Sequence, residues 1–213
     1  MNAGSLVVDT ISIAVDGRRL IADLSFRVDA GEALSIMGPS GAGKSALLSF
    51  IGGHLDPVFR ASGRVWLDDC EVTHLSAERR GIGVLFQDDL LFPHLSVGGN
   101  VAFGLTPAVR GREARRTAVA QALDEAGLGG FQDRDPATLS GGQRARVALM
   151  RSLAATPKAL LLDEPFSKLD LDLRRKFRRF VFDTARRRGL PVVLVTHDPA
   201  DAEAAGGALA RIG

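Results

Sequence analysis

The residues best placed to do chemistry are Gly38, Pro39, Ser40, Gly41, Ala42, Gly43, Lys44 and Ser45, which spell G-x-x-x-x-G-K-[ST], the phosphate-binding loop. Glycine lets the backbone wrap tightly, so that successive N–H groups converge on phosphate oxygens. A helix beginning at the end of the loop adds unpaired amides and a positive dipole end. Lys44 can reach β- and γ-phosphates, and Ser45 can offer its hydroxyl to Mg2+. Asp163 and Glu164 follow the apolar run Leu160, Leu161, Leu162. A carboxylate at the end of a buried strand suits water-mediated binding of Mg2+, and the neighbouring acid can poise a water as general base. Two adjacent acids there are costly without such partners. Gln87 closes another apolar run and can bond a water or the metal, and the His197 imidazole can reach a γ-phosphate. Ser140, Gly141, Gly142 and Gln143, after Leu139, form a second hydroxyl-bearing, glycine-rich helix start. One nucleotide bound in one chain need not use both glycine-rich starts. Two chains packed head to tail could pair the first of one with the second of the other.

The elements that must position these residues follow from the apolar pattern. Residues 33–37 read as a buried strand before the phosphate loop, and 45–52 as the helix after it, with Leu47, Leu48 and Ile51 on its apolar face. Further buried strands are expected over 82–86, 158–162 and 191–195, and helices over 113–126, 141–155 and 172–188, with Ser140 as the N-cap of the second helix. Segments 6–8, 11–15, 20–28 and 65–67 read as a small antiparallel sheet, with a turn at Asp16 and Gly17. Strand, helix and strand with polar residues at the strand ends predict a doubly wound α/β core with its ligands outside the carboxyl ends. Residues 1–87 and 156–213 are expected to form that core with its antiparallel sheet, and 88–155 an inserted helical subdomain.

Bulk properties narrow the class. The 213 residues carry 27 Lys and Arg against 25 Asp and Glu, a formal charge of +2, which gives no argument for nucleic acid. The arginines of 172–188 read as a solvated helix face. The single cysteine, Cys70, excludes an intramolecular disulfide framework. No basic segment followed by an apolar run marks a signal peptide, and no run reaches the roughly 18 apolar residues a spanning helix needs, so any membrane role is expected to come through a partner.

Taken together, the phosphate loop, Gln87, Leu139 to Gln143, Leu162 to Pro165, Ser167 to Asp170 and His197 stand in the order of the ATP-binding cassette (ABC) transporters, and nearly the whole chain resembles their nucleotide-binding subunit. The resemblance implies a RecA-like P-loop NTPase core with an N-terminal antiparallel β subdomain and an inserted helical subdomain. It also implies ATP and Mg2+ as cofactors and an ATPase coupled to transport. In that family the serine and glycines matching Ser140, Gly141 and Gly142 contact the γ-phosphate held by the opposite subunit. Gln87 resembles the residue that links metal, attacking water and transport domain. Asp170 resembles the acid of the loop between the two sites, and His197 the switch histidine. Phe86 and Gln87, with Leu91, Phe92, Pro93, His94, Leu95, Ser96 and Val97, resemble importer subunits of bacteria. The implied partners are a second copy of the chain, integral-membrane permease subunits and an extracytoplasmic solute-binding protein. The implied location is the cytoplasmic face of the inner or plasma membrane. The compact length and residues 137–149 resemble the thiamine and inorganic-ion uptake branches. An exporter or lipoprotein-release ATPase is the alternative. Repair or translation cassettes would bring a second cassette or a long coiled coil, and neither is visible here.

The chain departs from the family pattern in four places. Asp16 stands before Gly17, where a base-stacking aromatic is usual, and the sequence holds no Tyr, which predicts permissive base selection unless Val15, Arg18 or another residue substitutes. Ala46 follows Ser45 where Thr is usual, removing a hydroxyl near the α-phosphate. Lys168 replaces a small residue between Ser167 and Leu169. The final hairpin is expected to be shortened after residue 205, with no C-terminal regulatory domain.

Overall fold

The computed structural model describes residues 4–213, so positions 1–3 of the expected core lie outside it. In chain order the elements are β1 (Ser5–Val15), β2 (Arg18–Asp29), β3 (Ala33–Met37), α1 (Lys44–Gly52), β4 (Phe59–Leu67), β5 (Cys70–Glu71), β6 (Ile82–Leu85), α2 (Val97–Phe103), α3 (Arg112–Glu125), α4 (Gly141–Ala154), β7 (Ala159–Asp163), α5 (Leu171–Arg187), β8 (Val192–Val195), α6 (Pro199–Ala205) and β9 (Ala208–Arg211). They form two compact units. One comprises the described residues through Val84, with Lys158–Glu164 and Arg178–Gly213; the other comprises Leu85–Pro157 and Pro165–Phe177.

The first unit holds two sheets. In the antiparallel sheet the order is β2-β1-β4-β5. Leu6, Val8, Ile11 and Ile13 of β1 are buried, the alternation expected of a strand with one face on a core. Asp16 and Gly17 join β1 to β2 with φ of 49° and 76°, the two positive φ values of a hairpin turn whose twist matches its strands. The other sheet has the order β6-β7-β8-β3-β9, with β3 parallel to β8 and β9, and β7 parallel to β8. The first four residues of β3 and of β7, and all of β8, are buried, which is why each reads as an unbroken apolar run rather than an alternating one. Leu47, Leu48 and Ile51 of α1 join one core with Ile36, Leu161, Val193 and Val195. This is the RecA-like P-loop NTPase core with an N-terminal β subdomain and helical insertions.

Arg80 pins this core without a carboxylate partner in its hydrogen-bonding set. Its guanidinium donates to the carbonyls of Phe50 (2.7 Å) and Ile51 (2.8 Å), Leu75 (2.9 Å) and Thr73. Phe50 and Ile51 end α1, so a buried cation supplies the charge that a helix C-terminus favours. Burial pushes its pKa below the usual guanidinium value.

Several elements differ from what the pattern predicts, among them α2, β4 and β9. α2 forms although its sequence is VGGNVAF, because the Ser96 hydroxyl accepts from Gly99 N (3.1 Å) and Val97, Asn100 and Val101 are buried. β4 starts at Phe59 rather than near Val65, its polar first half held by backbone pairing to β1. β9, four small or exposed residues without a strand pattern, is held by its parallel register on β3.

Candidate active site

The phosphate loop leaves β3 and enters α1. Gly43 caps α1 with φ 89° and no side-chain hydrogen bond. A Cβ there would lie 3.0 Å from Leu20 Cβ, so both backbone sign and space require glycine. The first-turn amides of α1 are thus left without a side-chain acceptor, the condition for binding an anion. Lys44 is buried, and its ammonium donates to the carbonyls of Gly38 and Pro39 at 2.8 Å each, which folds it over the loop.

Across from the loop, Ser45 Oγ donates to Asp163 Oδ1 at 3.1 Å. Burial holds the Asp163 carboxyl above the ordinary carboxylate range. Ser45's hydrogen bond opposes this, while the charge of Glu164 adds to it. Glu164 has φ 44°, a left-handed conformation that costs a non-glycine residue about 1–2 kcal/mol and is a mark of functional sites. It is held there by its amide, which donates to Val195 O at 3.0 Å. Its Oε1 lies 3.1 Å from His197 Nδ1. His197 leaves β8 through Thr196, whose hydroxyl donates to Asp201 Oδ2 (3.0 Å) and accepts from Asp198 N (3.0 Å). Asp201, 1% exposed, is ion-paired to Arg178 at 3.0 Å. This buried network sets the turn that carries His197. Nothing in the sequence singles out Asp201 or Arg178, which look like ordinary helix polar residues until the fold brings them together.

The first unit therefore assembles Lys44, Ser45, Asp163, Glu164 and His197 around one loop. A hydroxyl and a carboxylate converge beside uncapped helix amides and a lysine. That donor set fits a Mg2+-bound phosphate chain. Residues Gly38 to Ala46 trace this loop as expected; Ala42 is buried beneath it, and Ala46 sits in the first turn of α1.

The second unit carries the remaining expected residues. Ser140 caps α4 in a reciprocal capping box: its Oγ accepts from Gln143 N (3.4 Å), and Gln143 Oε1 accepts from Ser140 N (2.9 Å). A Cβ on Gly142 would meet Leu173 at 3.2 Å. Gln87 Nε2 donates to Ser167 Oγ at 3.2 Å, and beside it Lys168 is ion-paired to Asp88. Segment 167–168 is thus tied to segment 87–88 through both rungs. Asp170 accepts from Leu173 N through its carboxylate (3.0 Å) and from Arg174 N through its carbonyl (2.8 Å), which starts α5. Asn100, missed by sequence reasoning, is fully buried. It accepts from Phe92 N (2.8 Å) and donates to the carbonyls of Phe92, Leu95 and Ser96. Its burial is not readable from the sequence, where it stands as an Asn after two glycines. Arg151 donates to Leu90 O (2.7 Å) and Asp89 O (3.1 Å). The loop so fixed presents Leu90 at 55% exposure; Phe103, at the end of α2, is 67% exposed, its ring centroid 4.6 Å from that of Phe92.

Comparison with known proteins agrees with this geometry. Residues 21–167 match the family described as ABC transporter. The chain is 50% identical over 199 residues to the ABC transporter ATP-binding protein YnjD of Escherichia coli K12, covering 93% of this chain and 91% of that one. It is 39% identical over 201 residues to the Fe(3+) ions import ATP-binding protein FbpC 1 of Haemophilus influenzae, covering 94% of this chain but 60% of that relative. Among solved structures, the ATP-binding cassette MJ0796, in a dimeric post-hydrolysis state bound to ADP and Pi, superposes with a TM-score of 0.80 at 30% identity, covering 97% of this chain and 94% of that one. The chain belongs to the ABC transporter family, as an ATP-binding subunit. It is a P-loop ATPase, and among the described residues no helix is long and apolar enough to cross a membrane.

Proposed function

We propose that the chain powers solute uptake as the ATPase subunit of an ABC importer, working as a head-to-tail pair of copies that share two composite sites. The observation that carries the reading is the convergence of Ser45 with Asp163 (3.1 Å) and of Glu164 with His197 (3.1 Å) at the mouth of the phosphate loop. Lys44 and the loop amides gather charge on the β- and γ-phosphates, with Ser140 and its glycines reaching the γ-phosphate from the second copy. Ser45, and Asp163 through water, would hold Mg2+, and we assign Gln87 the same role; the ion would neutralise charge developing on the phosphates. Glu164 positions the attacking water and takes its proton, and His197 holds Glu164 on one side and the γ-phosphate on the other.

The dimeric state named for MJ0796 supports the pairing. The importer name of FbpC 1 supports uptake over export, and an inorganic ion as the solute class. Leu90, exposed on the loop that Asn100 and Arg151 tie down, and Phe103, exposed at the end of α2, suit docking on a permease with a solute-binding protein outside it. That would place the chain at the cytoplasmic face of the membrane. Glu164→Gln is expected to lose at least about 100-fold in turnover, and to sediment as a dimer at saturating Mg·ATP. Steady-state hydrolysis at the parent rate removes Glu164 from the mechanism. A variant that stays monomeric with ATP and permease present removes the paired sites.

A further inference from the structure

The hairpin turn that should carry a base-stacking ring carries Asp16, yet an aromatic ring stands on the rung beside it. Phe59 opens β4 directly opposite Val15, the last residue of β1, and Val15 is flanked on its other side by Arg18. Residues directly opposite on antiparallel strands share a face of the sheet, so Phe59 and Val15 stand together at the edge of the Asp16–Gly17 turn. The approach to Phe59 is fixed by Asp56, which accepts from Phe59 N through its carbonyl (3.0 Å) and from Val58 N through its carboxylate (2.9 Å). The ring is part-buried against the core.

What gives this placement a consequence is the cavity it lines. A space of about 310 Å³ is lined by Gly43, Lys44, Ser45 and Glu164 together with Leu20 and Phe59. The amides and ammonium suited to phosphate and an apolar, aromatic surface therefore border one continuous cavity. Leu20 is packed over Gly43 at 3.0 Å from where a Cβ would sit, so the apolar side of the cavity adjoins the loop itself. Were the loop to hold a phosphate chain, an attached base would have this apolar surface within the same cavity.

We propose that Phe59, with Leu20 beside it, supplies the nucleobase-contacting surface that the Asp16–Gly17 turn lacks. This rests on the loop binding a nucleotide. A phenyl face stacks on any purine and offers neither donor nor acceptor to a base edge, so ATP and GTP are held about equally.

The test uses the full chain in the Glu164→Gln background, so that nucleotide is not consumed, with calorimetric titration of Mg·ATP, Mg·GTP and Mg·tripolyphosphate. Phe59→Leu keeps the apolar packing and removes the ring. It is expected to weaken both nucleotides about tenfold and tripolyphosphate by less than about twofold. Phe59→Trp, made with Trp66→Phe so that one indole remains, is expected to retain nucleotide binding and to show fluorescence quenched by ATP but not by tripolyphosphate. ATP binding by Phe59→Leu within about twofold of the parent overturns the proposal, as do equal losses for ATP and tripolyphosphate, which would mark a packing role. A parent preference for ATP over GTP beyond about tenfold overturns it as well. A parent that binds none of the three overturns the nucleotide reading beneath it.

Discussion

Two glycine-rich helix starts, one in each compact unit, answer the same backbone problem in opposite ways. α1 begins after Gly43, with no side chain satisfying its first-turn amides, and Lys44 is folded over the loop at 2.8 Å from each of two carbonyls. α4 begins after Ser140 with a complete capping box, both Ser140 and Gln143 engaged. A glycine start is unfavourable by only a few tenths of a kcal/mol relative to one capped by a side chain, and here it keeps donors available for an anion. A capped start is stable by itself and offers a hydroxyl and glycines only to a ligand presented from outside. On the proposed pairing, the first binds phosphate within one chain and the second completes a site that another copy has loaded.

The comparison is broken most directly by removing each start in turn. Lys44→Ala is expected to abolish detectable hydrolysis and weaken Mg·ATP binding by the isolated chain by about 100-fold or more, as a desolvated charge pair is lost. Ser140→Ala is expected to cut hydrolysis by about tenfold or more yet leave Mg·ATP binding by the isolated chain within about twofold. Calorimetry and steady-state phosphate release measure the split. Equal losses of binding and turnover in the Ser140 variant would make the two starts equivalent.

A smaller effect is expected at the network that carries His197. Asp201→Ala leaves the half-buried Arg178 without this carboxylate and Thr196 without its acceptor, and is expected to destabilise the first unit by about 3 kcal/mol. Denaturant melts read the loss, and the milder Asp201→Asn separates stability from turnover. If Asp201→Asn folds normally but hydrolyses slowly, the network acts on the His197 turn rather than only on the core.

The smallest concerns Asp163. Its folded pKa lies above the unfolded one, chiefly through burial. The group therefore favours the folded state below the unfolded carboxylate value, and that contribution is lost as pH rises through the folded value. With Mg2+ chelated, Asp163→Asn is expected to melt slightly above the parent at pH 7, the difference closing as pH falls into the carboxylate range. A gap that widens on acidification would reverse the assigned cause. The uncapped α1 and the buried Asp163 would then not share the character of a site held ready at some cost to stability.

Legibility followed how local each cause is. The phosphate loop, the acids closing β7 and the Ser140 capping box are readable because spacing along one segment sets their geometry. α2 hid behind two glycines, since a buried Asn100 and a Ser96 cap outweigh poor helix propensity only once the neighbouring loop exists. β9 and the first half of β4 carry no pattern of their own, because their partners β3 and β1 supply the register.

By itself the sequence determined the catalytic vocabulary: a loop with Lys44 and Ser45, the acid pair, the histidine and a second glycine-rich start. These depend on backbone geometry over a few residues, which residue type dictates. Only the tertiary structure decided that Asp201 and Arg178 stand behind His197, that Arg80 closes α1, and that Phe59 faces the cavity of the phosphate loop. Each of these joins residues far apart in the chain, and burial and strand register, not local spacing, bring them together.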